Sequence, residues 1–274
     1  MSAQEQLEQW QLERSSAEAY ERYLVPLFFA PGAQYLIELV ALQTGERVLD
    51  IACGTGIVAR SAAPRVGLHG KVVGLDLNED MLEVAQEVSS GILPEIEWRQ
   101  GDALDIPFPD AAFDVVFCQQ GLQFFPDRPA ALREIHRVLA PDGRLGLNVL
   151  RSLQHNPAYD LFAEALERHV GPDAGTMMRS PFPELSTGEL RDLLAGAGFR
   201  DVRILIGIAP VRYPSAREFV HREAASSPLA RELESLRDGV RELLLRDLEA
   251  ALQAYTDDEG IVFPTEAHLT VARP

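Results

Sequence analysis

A short stretch from Val48 to Gly56 holds the residues best suited to bind a ligand. It is an apolar segment that contains Asp50 and runs into the sequence Ala-Cys-Gly-Thr-Gly. Glycines at a strand-to-helix turn let a ligand approach the backbone, and the first amides of the following helix are free to donate hydrogen bonds. The pattern predicts a binding turn that includes Asp50, Ala52, Gly54 and Gly56. A tight turn that binds nothing is the alternative.

The charge at this turn indicates what it would bind. Gly54, Gly56 and Ala59 also satisfy the G-x-G-x-x-A fingerprint of dinucleotide-binding folds. Asp50 would repel the two negative charges of a pyrophosphate, whereas it would attract a ligand that carries sulfonium and ammonium groups. The acid therefore favours a cationic cofactor over a dinucleotide.

Two further acids follow the next two predicted strands. Asp76 lies 20 residues beyond Gly56, where a carboxylate can accept both hydroxyls of a ribose, and Leu77 beside it belongs to the same predicted site. A helix-starting role for Asp76 is the alternative. Asp102 and Ala103 follow the third strand, where a carboxylate can accept the amine of adenine while a backbone amide reaches a ring nitrogen. An ordinary turn is the alternative for Asp102.

The elements that must position these residues alternate between short apolar runs and helical stretches, which predicts a doubly wound α/β fold with a largely parallel sheet. The predicted strands are Arg47–Ala52, Lys71–Asp76, Glu95–Gln100, Phe113–Cys118, Arg144–Leu150, Val202–Ala209 and a terminal strand within Gly260–Ala272. The helices predicted between and after them are Val58–Ala63, Asp80–Ser89, Pro129–Val138, Pro157–Val170 and Thr187–Gly198.

The rest of the chain is less regular. A helix is predicted over residues 3–23, interrupted by Pro26 and by Ala30–Pro31–Gly32, and a second over Ala33–Leu42. Gly171–Glu184 predicts a loop or lid. We expect one domain over residues 1–274, with a helical cap over 1–44, a cofactor-binding core over 45–151, and lid insertions at 152–186 and 213–257 that cover the substrate.

Net charge, cysteine spacing and the absence of long apolar runs in the sequence disfavour several classes of function. The net charge of −17 disfavours nucleic acid and anionic membranes, which need a basic face. Cys53 and Cys118 have no spacing that predicts a metal site or a disulfide. We find no apolar run of membrane-spanning length and no secretory leader, so a cytoplasmic protein is expected.

Four motifs in order resemble those of class I S-adenosylmethionine-dependent methyltransferases, most closely the subgroup that includes ubiquinone and menaquinone biosynthesis methyltransferases. The resemblance is strong over roughly residues 45–150. The motifs lie in Val48–Gly56, Val73–Asp76, Gly101–Phe108 and Leu132–Leu145, and the strand Phe113–Phe117 between the last two also matches. One departure is Gln119–Phe124, where relatives often have a histidine; another is Pro141–Asp142–Gly143 in place of Pro-Gly-Gly.

The resemblance implies a seven-stranded Rossmann-like sheet whose last strand inserts antiparallel. It implies S-adenosyl-L-methionine as cofactor, S-adenosyl-L-homocysteine as product and a small-molecule acceptor. By the same analogy, Asp50, Gly54 and Gly56 face the methionyl end, and the backbone around Gln119 passes beside it. Asp76 holds the ribose, Asp102 and Ala103 hold adenine, and the segment with Tyr20 and Tyr23 folds over the cofactor.

Methyl transfer from a sulfonium is an in-line displacement, so few side chains must take part in the chemistry. His155 is the first candidate base because it follows the fifth strand at the carboxyl edge, with an exposed loop histidine as its alternative. Tyr23 is a second catalytic candidate, and Tyr159 could orient an acceptor. An apolar pocket lining is predicted from Phe28, Phe29, Phe124, Phe125, Phe162, Met177, Met178 and Phe182.

Two other functions stay open at this point. An NAD(P)-dependent oxidoreductase would share the glycine turn and Asp76, although Lys71 is the only lysine and leaves no candidate for a catalytic lysine. A non-catalytic protein that binds S-adenosylmethionine is the other alternative. The sequence leaves open the methyl acceptor, the atom methylated and the oligomeric state, a homodimer included.

Overall fold

The computed structural model describes residue 8 and residues 10–274. In this part of the chain, eight strands form one mixed sheet. They are β1 (Arg47–Ile51), β2 (Lys71–Asp76), β3 (Ile96–Gln100), β4 (Phe113–Gln119), β5 (Leu139–Leu150), β6 (Arg200–Tyr213), β7 (Thr256–Asp257) and β8 (Gly260–Arg273). Their order is β3-β2-β1-β4-β5-β8-β6, and β7 pairs with β8. β8 runs antiparallel to both neighbours, as predicted for the last strand, while β1 to β5 pair in parallel.

Helices cover both faces of the sheet. They are α1 (Arg14–Ala19), α2 (Ala30–Leu39), α3 (Ile57–Val66), α4 (Glu79–Val88), α5 (Arg128–Val138), α6 (Pro157–His169), α7 (Pro172–Arg179), α8 (Thr187–Gly196), α9 (Ala216–Ala225), α10 (Ala230–Glu234) and α11 (Asp238–Ala251). A π-helix spans Tyr20–Phe29, and 3₁₀ turns span Leu122–Phe124, Leu153–His155 and Leu252–Tyr255. The doubly wound α/β fold predicted from the sequence is confirmed. No helix in the described part of the chain combines the length and apolar character that a bilayer crossing needs.

The apolar runs of the central strands are buried on both faces, as parallel sheets require. Leu49 and Ile51 pack with α5 and α8 on one face, whereas Val48 packs with α2 and α3 on the other. Because the strand order reverses between β1 and β4, their carboxyl ends border the crevice where open α/β sheets bind ligands. The predicted site residues at the ends of β1, β2 and β4 therefore lie at the same edge of the sheet.

A second apolar core lies beyond that edge. β8 pairs with β5 only through Ala267–Ala272, and its earlier part pairs with β6 as a two-stranded ribbon. Residues of that ribbon pack with α6, α7, α9 and α11 in one buried cluster that includes Tyr213 and Phe263. The segments predicted as lid insertions are thus helices with a core of their own.

Two predicted interruptions of helical structure are wrong. Pro26 lies inside the π-helix, and Ala30–Pro31–Gly32 begins α2 instead of breaking a helix, because a proline in the first turn needs no hydrogen-bond donor. Within the predicted loop Gly171–Glu184, residues Pro172–Arg179 form α7. A Cβ on Gly175 would come 3.0 Å from the Ala163 oxygen, so this glycine allows α7 to pack closely on α6.

Some predicted boundaries also shift. The fifth strand begins at Leu139 instead of Arg144, because Leu139 pairs with Phe113 before a register shift. The first predicted helix, over residues 3–23, is observed as α1 and the start of the π-helix, while its residues 3–7 and 9 lie outside the described part of the chain.

Trp98 fills a groove made by two glycines behind the binding turn. It is the parallel partner of Gly74 in the register of β2 and β3. A Cβ on Gly74 would lie 2.3 Å from Trp98 Cζ3, and one on Gly56 would lie 2.1 Å from Trp98 Cη2. Neither position has room for a larger residue unless the indole moves.

We expect Gly74→Ala to lower the free energy of unfolding by about 1–3 kcal/mol, because the added methyl group overpacks the indole of Trp98. Gly196→Ala is the matched control, since a Cβ at the end of α8 meets no atom within 4 Å. That variant should change stability by less than about 1 kcal/mol, in the stabilising direction. Urea unfolding of both variants tests this, and an unchanged midpoint for Gly74→Ala would contradict the packing argument.

Candidate functional site

The turn after β1 is held by a hydrogen bond from its backbone to a carboxylate on β2. Gly54 N donates to Asp76 Oδ2 at 2.7 Å. Three residues of the turn, Ala52, Gly54 and Gly56, have φ angles of 51°, 56° and 81°. Left-handed backbone suits glycine, and Ala52 adopts it within a turn that is fixed on both sides. Ala52 and Gly54 contribute to the wall of the cavity described below.

Asp76 and Leu77 stand at the end of β2, in the wall of the same cavity. Asp76 Oδ1 accepts a hydrogen bond from Asn78 N at 2.9 Å. Burial raises the pKa of Asp76, although the backbone amides of Asn78 and Gly54 act in the opposite direction. The carboxylate therefore has a preorganised orientation and an environment in which a hydrogen-bonding or cationic ligand would stabilise its charge.

The third strand brings two more predicted residues to the cavity. Asp102 and Ala103 both border it, and Asp102 Oδ1 accepts a hydrogen bond from Leu104 N at 2.9 Å. Gln119, at the end of β4, lies across the crevice and donates from Nε2 to Phe29 O at 3.0 Å. Its Oε1 is buried and has no hydrogen-bond partner among the described residues. That oxygen can accept a hydrogen bond from a ligand.

Two residues predicted to face the cofactor lie behind the cavity wall instead. Asp50 is 1% exposed, and its Oδ2 accepts a hydrogen bond from Ala59 N at 3.0 Å. Oδ1 of Asp50 has no partner within the described part of the chain, and burial raises the pKa of Asp50 to about 8. Gly56 is in contact with Trp98 rather than with the cavity. Both residues shape the turn from beneath.

The π-helix places Tyr20, not Tyr23, over the glycine turn. Tyr20, Leu24 and Phe28 border the cavity and are four residues apart along the π-helix. Tyr23 does not fit this spacing and does not border the cavity. A Cβ on Gly54 would lie 3.8 Å from Tyr20 Oη. Tyr23 instead packs against His221, with a distance of 5.8 Å between ring centroids. Of the two tyrosines predicted to cover the site, Tyr20 borders the cavity and Tyr23 does not.

A partly buried ion pair ties the π-helix to the turn. Glu21 accepts hydrogen bonds from Thr55 Oγ1 at 2.6 Å and from Arg60 Nη2 at 2.8 Å. Because Glu21 follows Tyr20 directly, this pair fixes the aromatic cover relative to the residues beneath it. The N-terminal segment adds to the cover, since Trp10 and Leu12 border the cavity and Trp10 Nε1 donates to Ser180 Oγ at 2.9 Å.

His155, predicted as the first candidate base, lies outside this cavity. Its Nε2 is 2.8 Å from Arg151 Nη2, and its Nδ1 is 3.6 Å from Glu266. His155 and Arg151 border a separate polar cleft with Glu184 and Glu189. His155 therefore follows β5 as predicted, but its side chain borders this second cleft and not the cavity at the strand ends.

The far end of the cavity contains an acid that sequence reasoning missed. Glu223 on α9 is 8% exposed, and its Oε1 accepts hydrogen bonds from Tyr213 Oη at 2.5 Å and Tyr159 Oη at 3.1 Å. One signal could have revealed it. Glu223 is spaced four residues from Phe219 on the buried face of α9, which is unusual for an acid.

The cavity as a whole runs from the strand ends to the lid helices and has a volume of about 230 Å³. Its wall contains three carboxyl groups, those of Asp76, Asp102 and Glu223, and no Arg, Lys or His within the described part of the chain. Most of the predicted apolar lining is present, but Phe162 and Met177 are absent from the wall. The lining members are Phe28, Phe29, Phe124, Phe125, Met178 and Phe182.

The chain is similar in sequence to known methyltransferases. A family model described as a methyltransferase domain matches residues 48–143. The chain is 35% identical over 205 residues to nocamycin O-methyltransferase from Saccharothrix syringae, a match that covers 70% of this chain and 73% of that protein. It is 35% identical over 176 residues to demethylmenaquinone methyltransferase from Lactobacillus johnsonii, covering 60% of this chain and 71% of the relative.

Solved structures agree on the fold. Phosphoethanolamine N-methyltransferase 2 from Haemonchus contortus, in complex with S-adenosyl-L-methionine, superposes with a TM-score of 0.63 at 20% identity. That likeness covers 100% of this chain and 60% of the other. The YcgJ protein from Bacillus subtilis gives a TM-score of 0.60 at 23% identity, over 89% of this chain and 97% of that one.

The resemblance predicted from the four sequence motifs is confirmed by these matches, and neither the oxidoreductase nor the non-catalytic alternative is favoured by them. The carboxyl-lined crevice at the end of β1, β2 and β4 is in the expected place. The chain belongs to the class I S-adenosylmethionine-dependent methyltransferases, and it acts on a small molecule.

Proposed function

We propose that the cavity binds S-adenosyl-L-methionine at the strand ends and a small acceptor beneath the lid helices, and that it releases S-adenosyl-L-homocysteine. The proposed cofactor residues are Ala52, Gly54, Asp76, Leu77, Asp102, Ala103, Gln119 and Tyr20. Tyr20 takes the place predicted for Tyr23, and Asp50 and Gly56 support the turn from behind. The sign of charge in the cavity wall is the observation that carries this proposal.

The residues present suit each part of the cofactor. Asp76 has both carboxylate oxygens oriented by backbone amides, at 2.7 Å from Gly54 N and 2.9 Å from Asn78 N, and each oxygen retains a lone pair for a ribose hydroxyl. Asp102 can accept the exocyclic amine of adenine. The unpartnered Gln119 Oε1 can accept a hydrogen bond from the methionyl ammonium.

Three carboxyl groups, with no basic side chain beside them among the described wall residues, create a negative potential in a confined, partly apolar space. Such a potential attracts a ligand with sulfonium and ammonium charges, and it opposes a pyrophosphate or a phosphate ester. The cofactor supplies an electrophilic methyl group on a sulfonium. The task of this chain is to align the acceptor with that methyl group and to exclude water, for which the covering π-helix and lid helices are suited.

A parallel titration tests the proposed cofactor. We expect S-adenosyl-L-methionine and S-adenosyl-L-homocysteine to bind the purified protein in isothermal titration calorimetry, while NADH shows no saturable heat. The physical reason is the carboxyl-lined wall, since the diphosphate of NADH would find no basic side chain among the described residues of that wall. Saturable binding of NADH with no binding of either adenosyl ligand would contradict the proposal.

Asp76→Asn should weaken binding of S-adenosyl-L-homocysteine by about 1–3 kcal/mol, because charge-assisted hydrogen bonds to the ribose become neutral ones. The amide oxygen can still accept the hydrogen bond from Gly54 N, which holds the turn, whereas the bond from Asn78 N is lost. Glu79→Gln, an exposed position three residues away, is the matched control and should bind as the unmodified protein does. Equal affinities of the two variants in calorimetry would refute the ribose assignment.

A further inference from the structure

Glu223 is a buried acid in the proposed acceptor end of the cavity, and half of its hydrogen-bonding capacity is unused. Both tyrosine hydroxyls, from Tyr159 and Tyr213, donate to Oε1. Oε2 accepts no hydrogen bond from any residue that the structure describes, although the side chain borders the cavity. An acceptor oxygen that borders the cavity and is not occupied by a described donor can accept a hydrogen bond from a ligand.

The surroundings of Glu223 combine aromatic surface with two more unpartnered polar atoms. Tyr159 packs against Phe182 at 4.9 Å between ring centroids, and both border the cavity. Ser226 Oγ and Gln123 Oε1 are buried without a partner among the described residues, and their side chains also border the cavity. The site thus fits an apolar body that carries a few polar groups.

We propose that the acceptor is an apolar or aromatic compound with an ionisable hydroxyl group, and that Glu223 Oε2 takes the proton of that hydroxyl as its oxygen is methylated. This rests on the proposed function. The O–H bond breaks and its proton binds Oε2, while an oxygen electron pair forms the bond to the methyl carbon. The carbon–sulfur bond breaks and its electron pair stays on the sulfur, which becomes a neutral thioether.

The electrostatics of Glu223 suit a general base. Burial raises the pKa of Glu223 to about 7, while the hydroxyls of Tyr213 and Tyr159 act in the opposite direction. A base whose pKa lies near the working pH is partly ionised and still basic enough to take a proton. The two tyrosines hold Oε1 in place, which leaves Oε2 free to face the acceptor.

The elements packed around α9 bring no charged partner to Glu223 among the described residues. Several charged groups on these elements pair with groups other than Glu223. The pairs are Glu21–Arg60, Arg14–Glu87, Arg231–Glu13, Arg217–Glu242 and Arg222–Glu218. His221 and Arg222 lie against Tyr23, and Tyr20 lies over Gly54. The two hydroxyls that contact Glu223 and its burial therefore decide its titration.

The same features disfavour other acceptors. An anionic acceptor such as a phosphate ester finds no basic side chain in the described wall. An aliphatic amine is protonated at neutral pH, and its ammonium would pair with Glu223 and have no free electron pair for attack. A hydroxyl avoids both problems, because loss of its proton to Glu223 makes the oxygen a stronger nucleophile.

Methyl transfer to a matched pair of probes tests the proposal. The probes are 2-naphthol and 2-naphthylamine, which differ only in the reacting group, and release of S-adenosyl-L-homocysteine is measured. We expect transfer to 2-naphthol in preference to 2-naphthylamine. Glu223→Gln should lower kcat for 2-naphthol about 10²–10⁴-fold. Glu218→Gln, an exposed control on the same helix, should leave it unchanged.

The pH profile separates a base from a structural role. The kcat of the unmodified protein should rise with pH through about 7, as Glu223 loses its proton. Glu223→Gln should lack this limb, and Glu223→Asp should retain it at a lower rate because it keeps a carboxylate. If Glu223→Gln does not fold, the pH profile of Glu223→Asp is the test. Loss of the rise in kcat near pH 7 in that variant would refute the assignment of Glu223 as the base.

Fluorescence gives a readout that does not depend on turnover. Excited 2-naphthol is a strong acid that emits as naphtholate only when a proton acceptor is within hydrogen-bonding distance. Bound to protein saturated with S-adenosyl-L-homocysteine, it should emit as naphtholate in the unmodified protein and as neutral naphthol in Glu223→Gln. The same emission from both proteins would contradict a hydroxyl placed on Glu223.

The outcomes separate this inference from the proposed function. If S-adenosyl-L-methionine binds but 2-naphthylamine is the better acceptor, or neither probe binds, methyltransferase function stands and the hydroxyl acceptor is wrong. If Glu223→Gln transfers to 2-naphthol at the unmodified rate, the base assignment is wrong. If S-adenosyl-L-methionine itself fails to bind in calorimetry, the proposed function fails first.

Discussion

The hydrogen bond from Gly54 N to Asp76 is the contact on which the rest of the site depends. It joins the turn after β1 to the end of β2 at 2.7 Å, and the left-handed backbone of the turn follows from that connection. Trp98 supports the same turn from behind, in a groove that only glycine at positions 56 and 74 leaves open. Glu21 then ties the π-helix to Thr55 and Arg60, so the cover over the site is positioned by the turn itself.

Much of the fold and the cofactor half of the site could be predicted from the sequence, because both follow from local patterns. Apolar runs separated by helical stretches predicted a largely parallel, doubly wound sheet, and acids after successive strands of such a sheet meet at one edge. Asp76, Asp102 and Gln119 are found there. Asp50 is the instructive exception: alternation of side chains along β1 puts it on the face of α3, where it caps the Ala59 amide.

The rest could not be predicted, because it depends on tertiary contacts that leave little trace in the sequence. A π-helix of ten residues changes the spacing of exposed positions, so Tyr20 and not Tyr23 faces the turn. His155 follows the right strand but pairs with Arg151 and borders another cleft. Glu223 is 64 residues from Tyr159 along the chain, and only the folded lid brings the two together.

The two ends of the cavity use carboxyl groups in opposite ways. At the strand ends, backbone amides donate to both carboxylate oxygens of Asp76 and to one of Asp102, which orients these groups to bind hydroxyl, amine and cationic groups. At the lid end, two phenol hydroxyls donate to one oxygen of Glu223, and burial raises the pKa of this group to about 7, so it can gain and lose a proton near neutral pH. A single negative wall can therefore hold a charged cofactor firmly at one end and accept a proton from a neutral acceptor at the other.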